Sequence, residues 1–476
     1  MNPRSRALAA AGLLALLAAC ATDQRADVDA YRAISDPPGP VPTQAEGDPL
    51  PLVRALRLTA AHNERLAQQG EVYIQALADR QRLAAALRPT VSLFTNVGMH
   101  ENTGSDGVVQ TDVGVNGQYR LLTGMTDLRN VRAAEAFADS ARWLILDLRE
   151  SLLVQTARAY YDAIRAERLA DVLTNSVRAQ EERLADARGR NEVGFARPLD
   201  VAQIEAQVSR TRARLIDARR QAGEARSTLA LLVNARVTGS ALTDEFESPG
   251  AAPSVDDAFA LARAHRQDVL SARAEAEAAR ALVDAAIGEY EPAITLNLDF
   301  FLVRAPDDAP ASIASLLGVR APVFSGGRIA ADVRGAWSRF RESVLVYRAR
   351  AREVARDVET AHLRFAASLE LSAELAAQVR VAAQAVELAE AAYGAGLGTN
   401  LERVVAQDQL LAAELEAVSA AYDAKTAYLE LLRACGLLGR DMIGARLPPP
   451  PAALPVPDSP FLNRSSDPAP AAGGAS

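Results

Sequence analysis

The chain is written twice. Leu58, His62 and Pro89 recur as Leu261, His265 and Pro292 at an offset of 203, and Gly124, Val131, Arg132, Leu169, Leu173, Gly194 and Leu199 recur as Gly326, Val333, Arg334, Leu371, Leu375, Gly396 and Leu401 at 202. One residue is lost between the two sets, in a loop. An insertion inside a helix rotates every later side chain off its face, so a duplication that keeps register through long helices is held by packing geometry. Each half reads helix, strand pair, helix, helix, and the chain supplies two similar halves to one quasi-symmetric object.

The N-terminus indicates where that object lives. Asn2 to Arg6 carry two arginines, Ala7 to Ala19 are almost wholly apolar, and Leu17-Ala18-Ala19-Cys20 places small residues before a cysteine. Residues 1–19 read as a secretory signal peptide. The segment resembles the bacterial lipobox, which implies that Cys20 becomes the first mature residue and carries covalent lipid; the alternative is an ordinary signal with an incidental cysteine. By the same resemblance, Ala21 in place of an aspartate favours the outer membrane. No other apolar run approaches the roughly 20 residues of a membrane-spanning helix, so any crossing of a bilayer falls to strands.

Composition narrows the class. Hydrophobic residues reach 49% while aromatics are only 5%, so alanine and leucine carry the apolar surface, as in closely packed helices. A net charge of −8 argues against nucleic acid, which demands a concentrated basic face. With Cys20 committed to lipid, Cys435 is expected to be a small buried apolar residue. No disulfide framework, metal cluster or cofactor is expected beyond the lipid. Neither a phosphate-binding glycine loop nor a zinc-protease motif is present, so no enzymatic activity is expected.

The predicted organisation is as follows. Residues 20–50 form a lipidated N-terminus and tether; Ala21 to Gly47, with Pro37-Pro38-Gly39-Pro40, is expected to be extended, with no helix persisting. Residues 51–235 form the first repeat, 236–253 a connection, 254–439 the second repeat and 440–476 a disordered proline- and alanine-rich tail. Helical pattern over Pro51–Leu87 and Ser254–Tyr290 ends each time at a proline, Pro89 and Pro292. The period then changes to two. Val91, Leu93, Thr95 and Val97 alternate with Ser92, Phe94 and Asn96; Val113, Val115, Tyr119 and Leu121 oppose Asp112, Asn116, Gln118 and Arg120; Ile294 to Leu302 alternate with Thr295, Asn297 and Asp299; and 313–323 returns.

Both hairpins, about 90–121 and 293–323, have strands of about 10 residues, enough to cross a bilayer when tilted. A soluble sheet over a core is the other reading of an alternating strand. Four strands cannot close alone and open edges are not tolerated in lipid, so closure calls for several chains around a wet polar interior. After a glycine turn in each half, helical hairpins cover about 126–235 and 326–438. Runs of some 60 residues are rods of roughly 90 Å. Leu146, Leu153 and Tyr160 at heptad spacing, with Ala141 and Leu148, predict coiled-coil packing.

The lipobox, the paired repeats, Ala321-Pro322-Val323-Phe324-Ser325-Gly326-Gly327-Arg328 and Tyr393-Gly394-Ala395-Gly396-Leu397-Gly398-Thr399 together resemble the TolC-type outer membrane factors, and within them the lipidated multidrug-efflux branch, over about 51–439. The resemblance implies a mainly α fold with a β-barrel contribution: a homotrimer, a shared 12-stranded barrel in the outer membrane, and a trimeric α-helical tunnel through the periplasm that closes at its tip. It implies as partners a periplasmic adaptor and an inner-membrane pump, which supplies the energy for passive export of small molecules such as drugs. Asp112, Asn116, Gln118, Arg120, Asn297, Asp299 and Arg320 would then line the lumen.

Where the family constricts its tunnel, this sequence has Tyr393, Glu402 and, in the first half, Asp200, with Arg197 as a candidate partner for the carboxylates. Asp200 and Glu402 are equally read as first-turn acids stabilised by the helix dipole. The family's basic bridging position after the tip tyrosine is Gly398 here, so the closure network must differ. Val193-Gly194-Phe195 and Ala395-Gly396-Leu397 resemble the adaptor-docking tip motif, a glycine reversal beside an exposed apolar knob. His62 and His265 read as one repeated helix-surface position. The competing classes are a periplasmic adaptor, which normally has one hairpin flanked by β-rich modules, and a pore-less coiled-coil lipoprotein, which leaves the four strands unexplained.

Overall fold

The computed structural model describes residues 25–36, 39–40, 43–45, 47–100, 108–237, 239–305 and 312–445. The signal segment, Cys20 and the chain from 446 onward lie outside them. The first half contains α2 (Leu52–His62), α3 (Glu64–Ala85), β2 (Thr90–His100), β3 (Val108–Thr123), α4 (Thr126–Glu192) and α5 (Pro198–Val233). The second repeats that order as α6 (Val255–His265), α7 (Gln267–Gly288), β5 (Ala293–Ala305), β6 (Ser312–Arg320), α8 (Arg328–Gly394) and α9 (Asn400–Ala434). Outside the repeat lie α1 (Arg25–Ser35), β1 (Leu50–Pro51), β4 (Leu242–Thr243) and α10 (Leu438–Ile443).

The 67-residue helices α4 and α8 are rods of about 100 Å. Towards the sheet they are flanked by α3 and α7, and towards the tips by α5 and α9. The hairpin seam of the first half runs through Leu173, Val177, Leu184 and Ala187 on α4 and Ile204, Val208, Leu215 and Ala218 on α5, all buried in two clusters. Both sets step by four, seven and three, a coiled-coil pattern. The expected heptad trio packs elsewhere: Leu153 and Tyr160 join a mid-length core with Leu56, Leu229, Val233, Leu429 and Leu438, and Leu146 packs with Trp143 and Leu270.

Each long initial helix is in fact two. Asn63 (φ −77°, ψ 121°) ends α2 and caps α3, its side chain accepting the Arg65 N–H at 3.1 Å. Arg266 (φ −68°, ψ 115°) makes the same corner between α6 and α7. His62 and His265 are the last residues of α2 and α6. The corner lets α2 bury Ala55, Leu56 and Leu58 in the mid-length core, while α3 turns to run along α4.

The expectation of a helix-free tether is corrected by α1. Tyr31 packs against Gly70 so closely that a Cβ there would lie 2.5 Å from its ring, and it shares a buried cluster with Leu66, Ile145 and Leu152. The proline run begins only after Ser35, so it never interrupts the helix, and tertiary packing stabilises a segment too short to be helical alone. The tail boundary at 440 also moves: α10 runs to Ile443, and both Ile443 and Ala445 are buried.

At mid-length a buried pair ties α1 and α10 to α4. Arg149 Nη1 donates to the Ile34 carbonyl (3.1 Å), its Nη2 lies 3.5 Å from Glu150 Oε1, and Glu150 Oε2 accepts the Gly439 N–H (2.9 Å). Any Cβ at Gly439 would fall 2.4 Å from Glu150 Oε1. Nearby, the Tyr160 hydroxyl lies 2.7 Å from the Leu50 carbonyl and accepts the Thr243 N–H at 3.1 Å, pinning the β1–β4 ladder. Burial pushes that phenol up to about 12. Cys435 is buried and free, as expected, and burial raises its thiol to about 11.

The four long strands form one antiparallel sheet in the order β2-β3-β5-β6. Leu93, Val115, Phe300 and Ile313 are register partners across it, and the adjacent row is Ser92, Asn116, Asp299 and Ala314. One face is therefore apolar and the other largely polar. Val91 and Leu93 are 74% and 70% exposed; among the described residues no helix covers the apolar face, as a soluble sheet would require. Both β2 and β6 keep an unpaired edge. Among the described residues no helix is long and apolar enough to cross a membrane.

Truncating Glu150 to alanine should strand the buried Arg149 charge at a cost of about 3–5 kcal/mol. Circular dichroism melting is expected to show a clearly lowered midpoint; an unchanged midpoint would mean that the pair does not hold α1 and α10.

Candidate functional site: a polar strand face and a closing tip

The two ends of the rod carry the candidate groups. On the sheet, Asp112, Asn116, Gln118 and Arg120 share a face with Asn297 and Asp299, because Asn116 pairs with Asp299 and Gln118 with Asn297 in register. Asn116 Nδ2 donates to Asp299 Oδ1 at 2.6 Å. Arg120 Nη1 lies 3.5 Å from Asp127 Oδ1 at the start of α4. Arg320 ends β6 opposite Ala293, two residues beyond Gly318, which faces Thr295 on the same row. All seven predicted lumen residues thus fall on one face.

That face also holds a feature the alternation did not suggest. Phe94 and Phe301 meet edge to face at 5.7 Å across Gly114. A Cβ at Gly114 would lie 2.6 Å from the Phe300 carbonyl and 2.8 Å from the Phe94 ring. The glycine is therefore what admits the aromatic pair to a polar surface.

At the other end the two hairpins reverse on Gly194 (φ +82°) and Gly396 (φ +73°), left-handed conformations that favour glycine. The Phe195 N–H returns to the Arg190 carbonyl and the Leu397 N–H to that of Ala392, both at 2.8 Å. These bonds finish the helices and push the side chains outward: Phe195 is 85% and Leu397 87% exposed, and Val193 is exposed beside them.

The closure residues divide differently from the sequence expectation. Arg197 pairs with Asp200 in a two-point fork, Nε to Oδ2 at 3.1 Å and Nη2 to Oδ1 at 2.9 Å. Hydrogen bonding from Arg197 holds the Asp200 carboxyl below its ordinary range. Glu402 does not meet Arg197. It accepts the Thr399 N–H at 2.8 Å while Thr399 Oγ1 accepts the Glu402 N–H at 3.3 Å, a reciprocal capping box. Its carboxylate is engaged at the helix start, and the dipole reading is the one that the geometry favours for this residue.

Tyr393 carries the missing basic partner. The Arg403 guanidinium stacks over its ring at 4.3 Å, a cation–π contact, and Arg403 Nη2 donates to Asn400 Oδ1 at 2.9 Å. Neither Arg403 nor the buried Asn400 was singled out from sequence; a basic residue one turn after the helix start was the available signal. Two further links cross between hairpins. Arg183 of α4 donates to Glu390 of α8 (2.9 Å), with Gln407 on the same oxygen (3.1 Å), and Gln207 of α5 donates to Asp408 of α9 (2.9 Å).

An unpartnered apolar strand face, a polar opposite face and two helical hairpins, each joining a rod of about 100 Å to a return helix of about half that length, are the parts of a membrane channel continued by a helical tunnel. Residues 56–235 and 259–437 match the outer membrane efflux protein family, and the chain belongs to that family. The outer membrane efflux protein BepC of Brucella suis biovar 1 is 28% identical over 380 residues, 76% of this chain and 80% of that one. Protein CyaE of Bordetella pertussis is 28% identical over 476 residues, 92% of this chain and 97% of that one. The crystal structure of VceC from Vibrio cholerae shares the fold at a TM-score of 0.71, with 20% identity, covering 81% of this chain and 96% of that one. The chain is an outer membrane exit duct that extends into the periplasm, in a family of transport proteins rather than enzymes. The adaptor and the pore-less lipoprotein are thereby set aside.

Two outcomes are expected at the tip. Glu402→Ala should destabilise the start of α9 by about 0.3–1.5 kcal/mol through loss of the reciprocal half of the capping box, whereas Arg403→Ala should raise single-channel conductance; the reverse pattern in planar bilayers would return the gate to Glu402. The Asp200 carboxyl is lowered in the folded state, so its pairing with Arg197 is complete above the unfolded value of about 3.9 and lost only as pH falls through a still lower folded value. Conductance should be flat from pH 7 to 5, and an opening centred near pH 6 would contradict this latch.

Proposed function

We propose that three copies of this chain enclose a 12-stranded outer membrane barrel and an α-helical tunnel that passively conducts small molecules, and that an adaptor and an inner-membrane pump dock below and supply the energy. The observation that carries this reading is the pair of free strand edges on a sheet whose apolar face is bare. Lipid contacts such a face favourably, but an unpaired edge in lipid leaves backbone groups without partners at several kcal/mol each. Neighbouring copies satisfy both edges at once.

The exposed knobs Phe195 and Leu397, with Val193 beside the reversing Gly194 and Gly396, are the docking surface for the adaptor's helices. Tyr393, Arg403, Asp200 and Arg197 form the closing tip, each hairpin contributing one arginine. The duct itself uses no cofactor.

Cys20 carries the lipid. Asp36 lies within electrostatic reach of His62 and Tyr31 against Gly70, so α1 runs antiparallel to α3 with its N-terminal end towards the sheet. Gly70 to Ala85 is 15 residue steps along α3, about 22 Å, and α1 climbs about 9 Å of that from Tyr31 to Arg25. The five residue steps from Cys20 to Arg25 reach about 17 Å when extended. That is enough for a lipid on Cys20 to enter the inner leaflet beside the barrel.

Purified protein in planar bilayers should give long-lived conductance steps, and a photo-crosslinker replacing Phe195 should capture an adaptor in cells. Protein that never conducts would remove the duct; capture at exposed mid-helix positions but not at Phe195 would remove the docking assignment. Cys20→Ser should lose incorporation of labelled palmitate, and retained label would exclude Cys20 as the lipid site.

A further inference from the structure

Midway along the rods, α4, α8, α9 and the α6–α7 corner border an open cavity of about 470 Å³ whose walls carry five arginines, Arg158, Arg266, Arg356, Arg364 and Arg433, against two carboxylates, Asp357 and Glu430. Each carboxylate is shared. Asp357 accepts from Arg356 at 2.9 Å and from Arg266 at 3.3 Å; Glu430 accepts from Arg158 at 2.7 Å and lies 3.8 Å from Arg364. Arg266 and Arg433 also hold Asp268 (2.9 Å) and Asp147 (2.6 Å). Even counting these two, guanidinium groups outnumber carboxylates. The surplus is directional as well as numerical, since Arg433 Nη1 is buried with no acceptor.

The duplication supplies an independent comparison. Subtracting 202 from Arg356, Arg364 and Arg433 leads to Val154, Asp162 and Leu231 in the first half. If the fold needed guanidinium groups at these helix positions, both halves would carry them. These three arginines belong to the second half only, and the scaffold of the first half folds without a basic residue at the matching positions.

We infer that this cavity is a binding site for an oxyanion, a phosphate or carboxylate group. Guanidinium forks match such groups bidentately, and an oxyanion would supply the acceptor that Arg433 lacks while bridging the charges of Arg356 and Arg364. On α8 the residues that line it, Asp357, Thr360 and Arg364, occupy a stripe about a third of a turn from the stripe covered by α6. Short helices inside a tunnel would obstruct it, so α6 lies on the outer side and the cavity turns towards the lumen. This direction of access rests on the duct reading, whereas binding itself does not.

The test uses purified full-length protein in detergent and inorganic phosphate as the probe, followed by isothermal titration calorimetry. Wild type should bind saturably. Arg364→Gln and Arg356→Gln change side chains that are 66% and 74% exposed and leave each carboxylate one arginine, so both should fold with an unchanged melting midpoint. Their combination should weaken phosphate about tenfold or more. Absence of saturable binding, or equal affinity in wild type and double variant, overturns the site whether or not the protein conducts. Flux of a carboxylated dye through proteoliposomes, compared with its neutral amide, then separates the sources. Selective slowing of the carboxylate that phosphate relieves identifies a group carried by transported solutes, and phosphate binding without that effect identifies free periplasmic anion.

Discussion

The unpaired edges of β2 and β6 govern this molecule. Hydrogen bonds within the sheet join β2 to β3, β3 to β5 and β5 to β6, and every other requirement of a membrane-spanning sheet is met: alternation, length, an apolar row and a polar row. A four-stranded sheet is too narrow to curl into a closed barrel of its own. In the trimer proposed above, strands of other copies complete these edges, and the placing of the rods and of the tips at the far end follows from how that sheet is closed.

The duplication explains why one chain can supply so much of the wall, and the places where the copies diverge carry the chemistry. Arg197 and Asp200 correspond to Thr399 and Glu402, so one hairpin begins its return helix with an ion pair and the other with a capping box. Val201 corresponds to Arg403, the residue that stacks on Tyr393. The tip is thus built from two unlike halves, held by the Arg183–Glu390 and Gln207–Asp408 links across them. The same divergence at mid-length leaves a surplus of guanidinium groups between α4, α8 and α9.

Much of this was legible in the residues. Strand faces followed from a period of two, which the β3–β5 ladder breaks by register shifts at Val113/Gly114 and Arg120/Leu122, and the long rods and their reversals followed from alanine- and leucine-rich runs broken at glycine. The capping box was equally present as Thr399-x-x-Glu402, a local pattern that reports a helix start rather than a gate. What the sequence did not reveal depends on contacts between distant segments. Helix α1 exists because Tyr31 meets a bare Gly70, and its own residues give no sign of that. The corners at Asn63 and Arg266 interrupt helical patterns that continue on both sides. Arg403 went unrecognised because its partner, Tyr393, lies on the other helix of the hairpin.

The most direct measurement is disulfide trapping at the two free edges. A cysteine at Leu93 on β2, combined in turn with one at Ile313, Ser315, Leu317 or Val319 on β6, is oxidised in the membrane and the products are separated by denaturing electrophoresis. Edge pairing between copies predicts covalent dimers and a closed trimer at one or two of those β6 positions. Crosslinking confined to single chains, or none at any position, would contradict it.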